Sequence, residues 1–170
     1  YGMVTGKSWV LVPETVKFNL VGRLPEGVYA RDLILTIIGT IGANGCNYQV
    51  MEFTGEGAKT LSISERMVLC NMAVEAGAKT GIFEPDEKAI EYLEAHGRKP
   101  KALFTSDPDA VYAREYTFDL SKIRPVVAKP DFVDNLVPAE EVRGVKIDEA
   151  FLGSCNNGRI EDLRVGASII

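Results

Sequence analysis

The sequence predicts an α/β layered fold, because segments with helical periodicity alternate with segments that have the pattern of strands. Arg31 to Ile41 carries an apolar stripe at helical spacing and is followed directly by a glycine, a typical helix stop. Tyr48 to Phe53 alternates like a strand. In the next segment, Ser62 and Glu65 match a capping box, which begins a helix predicted from about Ile63 to Ala76.

The remaining elements continue this alternation. The patterns predict a strand over Lys79–Phe83, a capped helix over Asp86–His96 and a short helix over Asp107–Arg114. Two further apolar strands are predicted over Tyr116–Leu120 and Ile123–Ala128. Trp9 to Leu20 predicts one interrupted strand or two short ones around a proline. Ala150 to Gly153 predicts a new strand before a final helix, and the loop-like text from Pro130 to Val145 fits a domain boundary.

Composition and charge narrow the class of protein. The chain has 170 residues, 46% hydrophobic and 25% charged, as in a globular domain with a sizeable core. Its net charge of −5 argues against nucleic-acid binding, which needs clustered basic residues. No apolar run approaches the ~20 residues of a membrane span, and no leader pattern opens the chain. Three scattered cysteines (Cys46, Cys70, Cys155) favour a reducing cytoplasm over a disulfide scaffold.

One polar pair interrupts the apolar helix that follows the capping box. Asn71 and Glu75 are four residues apart, so they share one helix face. One interpretation is an exposed polar stripe. The other is an amide and a carboxylate that face a cleft, where the carboxylate would act as an acid or base.

The stretch GSCNNGR, Gly153 to Arg159, holds a cysteine in an unusual position. Cys46 and Cys70 are interpreted as small buried hydrophobes. Cys155 differs, because a turn before a helix presents free N–H groups that favour thiolate, and hence metal ligation or nucleophilic attack. The only histidine, His96, belongs to a helix end, and the chain has no CxxC or HxxxH. The site is therefore expected to be incomplete here.

Two long motifs carry a resemblance to a known family. VLCNMAVEAGAKTGIFEPD (Val68 to Asp86) and FLGSCNNGRIEDLR (Phe151 to Arg164) resemble the aconitase superfamily, and within it most closely the large subunits of 3-isopropylmalate dehydratase and homoaconitase. TGKSWVLVPETVKFNLVGRLPEG (Thr5 to Gly27) also matches a family stretch. The resemblance covers nearly the whole chain in order. It implies aconitase-like α/β/α layered domains with a mixed sheet flanked by helices.

The resemblance implies a hydro-lyase with a [4Fe–4S] cluster held by three thiolates. Cys155 matches the first of these ligands, and the other two are expected in a CxxC beyond the last residue given. Asn71 matches an amide near the cluster, and Glu75 a carboxylate near its bound water and substrate. Asn157 matches an amide that supports the cluster, whereas Asn156 replaces the commoner threonine.

The resemblance also implies partners and a division of the chain. A separate small subunit would carry the swivelling domain, and the substrate would be a small hydroxy acid of leucine or lysine synthesis. Residues 1–15 would end a first domain, 16–130 form the second, and 131–170 begin a third that carries the first cluster cysteine. The first residues are neither an initiating methionine nor a tag, and the last ones stop inside a helical pattern, so the chain is expected to be an internal fragment. By itself it should hold no cluster, because one thiolate cannot fix four irons.

Three other functions compete with this hypothesis. Homoaconitase activity is the alternative within the class, since the small subunit would set selectivity. A cluster-free relative that acts as a regulatory binder is the second, although the acidic charge disfavours RNA. A thiol enzyme that uses Cys155 alone is the third, and it lacks a base.

Overall fold

The computed structural model describes residues 1–170 and is built on a four-stranded parallel sheet. The strands are β1 (Thr15–Val21), β2 (Val50–Thr54), β3 (Thr80–Phe83) and β4 (Arg114–Asp119). Their order across the sheet is β3-β2-β1-β4, and every neighbouring pair is parallel. The predicted α/β class is confirmed.

Six helices connect and flank these strands. They are α1 (Gly2–Thr5), α2 (Ala30–Ile41), α3 (Glu56–Thr60), α4 (Ile63–Met72), α5 (Glu87–Ala95) and α6 (Ile160–Ile169). Helices α2 and α4 pack against each other and contribute most of the helical side chains of the core. No helix has the length and apolar character needed to cross a bilayer.

The core lies between one face of the sheet and these two helices. Val16, Phe18 and Leu20 alternate along β1 and are fully buried, because successive strand residues point to opposite faces. They meet Phe53 of β2 and the apolar side of α2, within a cluster of 23 buried residues. Burying each large apolar side chain contributes about 1.5–3 kcal/mol, so this cluster fixes the arrangement of sheet and helices.

The opposite face of the sheet is polar and carries no helix. Alternate strand positions there are Lys17, Glu52 and Glu115, and Ser106 and Tyr112 of a long loop donate hydrogen bonds to the Glu52 carboxylate. The expected α/β/α layering is therefore two layers within this chain. The expected mixed sheet is also arranged differently, because its antiparallel part is a separate hairpin of β5 (Val126–Ala128) and β6 (Leu136–Pro138).

The hairpin of β5 and β6 lies where the second and third domains were predicted to meet. Residue 130, where we expected the second domain to end, lies within its connection. Leu136 packs on the main core, and the Asp134 carboxylate accepts a hydrogen bond from the backbone N–H of Ala43 at 3.0 Å. Both sides of residue 130 are therefore attached to the same core.

Three local predictions are wrong. Residues 150–153 form no strand, residues 107–113 contain a turn and no helix, and residues 9–14 precede β1 without joining it. A strand needs a hydrogen-bonding neighbour, and residues 9–13 and 150–153 pair with no strand of either sheet. The helix predicted to run to Ala76 is α-helical only to Met72 and then tightens into a 3₁₀ turn over Ala73–Ala76. Gly77 ends it as expected, with φ of 78°.

Candidate functional site

A cavity of about 690 Å³ lies where the start of α2, the end of α4 and the last twenty residues of the chain meet. Its lining brings together all four residues that sequence analysis selected: Asn71, Glu75, Cys155 and Asn157. It also contains Arg31, the only lysine or arginine among its lining residues. The cavity has both apolar walls and convergent polar groups, as ligand sites commonly do.

The end of α4 places the amide and the carboxylate at this cavity. Val68, Leu69 and Met72 are buried on the core side of the helix, which turns Asn71 outward. Glu75 follows in the 3₁₀ turn and is exposed as well. The two interpretations of this pair therefore coincide, because both side chains are exposed and both line the cavity.

The turn that carries Cys155 has an unusual backbone. Ser154 has φ of 74° and Gly153 has φ of 150°, so the chain reverses sharply just before the cysteine. Positive φ is uncommon for a residue other than glycine and often marks a functional turn. The Cys155 thiol is exposed, and its Sγ lies 4.0 Å from Oδ1 of Asn71. Residues 84 positions apart in the chain thus meet at one wall of the cavity.

The two asparagines after Cys155 anchor the turn in different directions. Asn156 is buried, and its Nδ2 donates to Oδ1 of Asn71 at 3.3 Å and to the backbone carbonyl of Val68 at 3.5 Å. Asn157 donates from Nδ2 to Oδ1 of Asp162 at 2.9 Å. The asparagine that replaces the commoner threonine therefore links the Cys155 turn directly to α4.

Sequence analysis missed two residues of this network. Nη1 of Arg31 donates to Oδ1 of Asn156 at 3.1 Å and to Oδ1 of Asn157 at 3.2 Å. Asp162 accepts from Asn157 and, at 3.1 Å, from the backbone N–H of Arg159. Asp162 had a usable signal, since it is an acid in the first turn of the final helix. Arg31 had none, because its contacts are more than 120 residues away in sequence.

The other cysteines and the histidine lie outside the cavity. Cys46 is fully buried, and burial raises the pKa of its thiol. Cys70 is half-buried, and burial raises its pKa to about 11. These positions agree with the interpretation of both as packing residues. His96 lies at the end of α5, where its Nδ1 donates to the Tyr92 carbonyl at 2.7 Å.

The residues present fit one corner of an iron–sulfur centre. Cys155 supplies an accessible thiol whose Sγ lies 4.0 Å from Oδ1 of Asn71, and the Asn156 amide donates to that same oxygen. No three His, Cys, Asp or Glu side chains of the chain lie close enough together to hold a metal ion. A [4Fe–4S] cluster needs several thiolates, and the cavity contains the single thiol of Cys155, so its lining would supply at most one such ligand.

The fold and this cavity agree with the comparison to known families. The chain belongs to the aconitase family, whose model, described as the aconitase family (aconitate hydratase), matches residues 1–144. The Cys155 turn lies beyond that match, but whole-chain relatives include it.

Similar proteins are named as large subunits of enzymes. The 3-isopropylmalate dehydratase large subunit 1 of Methanopyrus kandleri is 50% identical over 166 residues, which are 98% of this chain and 40% of that protein. The 3-isopropylmalate dehydratase large subunit of a Hydrogenobaculum species is 49% identical over all 170 residues. A probable methanogen homoaconitase large subunit of Methanothermobacter thermautotrophicus is 48% identical over 167 residues. The chain thus spans about 40% of the length of the curated relatives it matches.

Proposed function

We propose that this chain is part of the large subunit of a [4Fe–4S]-dependent hydro-lyase that isomerises a small hydroxy acid such as 3-isopropylmalate by dehydration and rehydration. The observation that carries the proposal is the meeting of Cys155 with Asn71 and Glu75 at one cavity. The relatives named 3-isopropylmalate dehydratase large subunit support the choice of substrate.

Each of the four residues has a distinct proposed role. Cys155 holds the cluster as one of three thiolate ligands, and Asn71 and Asn157 orient the groups around that thiolate through their amides. When bound, the cluster supplies a Lewis acid that polarises the substrate hydroxyl and carboxylate. Glu75 is the proton carrier: its exposed carboxyl protonates the departing hydroxyl and takes the proton back on rehydration.

The proposal extends to the partner, the domains and the setting. The names of the relatives support a separate small subunit, which would bring the swivelling domain over the cavity. We propose that residues 1–15 end a first domain, 16–130 form the second and 131–170 begin the third. The hairpin around residue 130 would then be the structure that joins the second and third domains. Leucine biosynthesis in the cytoplasm is the corresponding setting.

The test uses the complete large subunit assembled with its small subunit and loaded with iron and sulfide without air. Cys155→Ser is expected to abolish the visible absorbance of the cluster, because it removes a ligand. Cys70→Ser is the matched control, since Cys70 lies beside Asn71 in sequence but outside the cavity. A C155S protein that retained the full cluster would overturn the proposal.

Glu75→Gln separates catalysis from assembly. It is expected to keep the cluster and to lower kcat by roughly 10²–10⁴-fold, because a positioned acid or base contributes about that much. A variant with unchanged kcat would remove Glu75 from the proton pathway.

Homoaconitase activity is the second candidate, and the 48% identity to a probable homoaconitase large subunit favours it. The same assembled protein, assayed on isopropylmalate and on homocitrate, decides between them by the ratio of kcat/KM values. A ratio above about 100 in either direction corresponds to a difference of about 2.7 kcal/mol in transition-state binding.

A further inference from the structure

The Arg31 side chain links helix α2 to the turn that carries Cys155 by hydrogen bonds. Arg31 lies in the first turn of α2, and its Nη1 contacts the Oδ1 atoms of both Asn156 and Asn157. We infer that Arg31 is a positioning residue that holds the Cys155 turn in its cavity-facing conformation.

The contact sets which way each amide faces. An asparagine amide has one accepting oxygen and one donating nitrogen, and rotation by 180° exchanges them. A guanidinium can only donate, so it fixes both oxygens toward Arg31. The nitrogens then point to acceptors: Oδ1 of Asn71 for Asn156, and Oδ1 of Asp162 for Asn157. Arg31 therefore fixes the oxygens of two amides on the C-terminal side of Cys155, while Val68 and Asp162 accept from their nitrogens.

The anchor of Arg31 is itself rigid. Its neighbour Asp32 accepts from the backbone N–H of Tyr29 at 3.0 Å and from that of Val126 in β5 at 3.0 Å. The following residues Leu33 and Ile34 are fully buried. The start of α2 is thus tied to β5 and to the core, so Arg31 donates its hydrogen bonds to the turn from a fixed position.

The consequence for the metal centre rests on the proposed function, whereas the orientation of the amides rests on the hydrogen bonds alone. With Arg31 in place, the Cys155 turn needs no reordering to present its thiol. Without it, the Val68 carbonyl and the Asp162 carboxylate still accept from the two amide nitrogens, but both amide oxygens lose their charged donor and both side chains are held less tightly. Loss of the Arg31 hydrogen bonds is therefore expected to weaken the retention of a ligand held by Cys155.

The test first uses the complete large subunit without its cluster, labelled with ¹⁵N in its asparagine side chains. Arg31→Met keeps the aliphatic stem and removes the donors. We expect solvent exchange of the Asn156 side-chain N–H₂ to be about tenfold faster in R31M than in the unmodified protein, because loss of the charge-assisted bond to Oδ1 loosens the amide whose Nδ2 donates to Asn71 and Val68. Arg23→Met is the control, since Arg23 is exposed and makes no contact with the turn. Signals are assigned by their loss in Asn156→Leu.

A second measurement uses the loaded two-subunit complex. R31M is expected to lose its cluster about tenfold faster than R23M in air. Arg31→Lys is expected to restore part of the difference, because an ammonium still donates but lacks the rigid fork of the guanidinium. R31K also serves if R31M fails to fold.

Two results would overturn the inference. One is an Asn156 exchange rate within twofold of that in the unmodified protein, measured in R31M or, if R31M does not fold, in R31K. The other is equal cluster loss in R31M and R23M. If the unmodified complex binds no cluster, the proposed function fails, and the exchange experiment still decides the role of Arg31.

Discussion

The sheet domain and the Cys155 turn are held in place by different forces. In the sheet domain, fully buried side chains such as Phe18, Leu33 and Phe53 fix the positions of strands and helices. In the last 25 residues, Asn156 alone is buried, and the turn is held by hydrogen bonds to Arg31, Val68 and Asn71. The rigid region thus supplies a fixed frame, and the turn is attached to it by a few polar contacts.

Helix α4 shows how the two regions meet. Leu69 is fully buried, whereas Asn71, two residues later, is exposed at the cavity. Packing on one side of the helix therefore determines where the amide on the other side lies. Gly81 permits this close packing, because a Cβ there would lie 2.8 Å from the Cα of Cys70. A site of this kind is positioned by burial but built from exposed groups.

The largest expected effect is on the free energy of unfolding of the sheet domain. Phe18 is fully buried and its ring lies 5.4–6.3 Å from those of Tyr116, Phe53 and Phe118. Phe18→Ala is expected to lower the free energy of unfolding by about 4 kcal/mol, because it leaves a cavity in the core. Leu163→Ala in the half-exposed α6 is the control and should cost about 0.5 kcal/mol. Urea unfolding followed by circular dichroism measures both, and equal costs would contradict the comparison.

The next effect compares thiols in the two regions. Burial raises the pKa of Cys70 to about 11, so little of it is thiolate at pH 8, whereas Cys155 is exposed. Iodoacetamide should therefore modify Cys155 about a hundredfold faster than Cys70 in the native protein without cluster. Peptide mass spectrometry over time gives both rates. Labelling of Cys70 at the rate of Cys155 would show that the α4 packing is not as described.

The smallest effect tests a charge within the frame. Arg66 donates two hydrogen bonds to Asp86, and these hold the pKa of the Asp86 carboxyl below its ordinary value, although burial opposes them. Because the folded pKa is lowered, the stabilisation is present above the unfolded pKa of about 4 and is lost as pH falls through the folded value. Asp86→Asn keeps the helix cap and should cost about 2 kcal/mol at pH 7.

The pH dependence distinguishes this pair from a surface pair. The difference in free energy of unfolding between the unmodified protein and D86N should shrink when the pH is lowered from 7 to 3. Glu115→Gln, which breaks the exposed pair with Lys17, should cost less than about 1 kcal/mol. A D86N difference that stays constant with pH would mean that the charge of Asp86 does not contribute.

Periodicity predicted the elements whose burial is regular. The sequence pattern predicted helix α2 and strand β2 closely, because each buries apolar side chains at regular spacing. It also predicted the start of α4, where Ser62 and Glu65 form the capping box. The strand expected at 150–153 fails, because an apolar run becomes a strand only beside a partner strand. Phe151 is instead 79% exposed.

The candidate site was predictable only in part. Asn71, Glu75, Cys155 and Asn157 were found because motif and spacing mark them within short stretches of the chain. Arg31 was not, since its importance depends on a contact across 125 positions. Arg66 and Asp86 were also missed as a pair, because nothing local to either residue indicates that both are brought together beside Phe83.

By itself, the sequence determined the α/β class, most helix and strand positions, the likeness to aconitase-type enzymes and the four residues to examine. These depend on local pattern, and local pattern is written along the chain. Only the tertiary structure decided that the sheet is parallel with one covered face, that the Cys155 thiol meets Asn71, and that Arg31 secures the turn between them. Such facts arise when burial brings distant segments together, and no short stretch of residues contains that information.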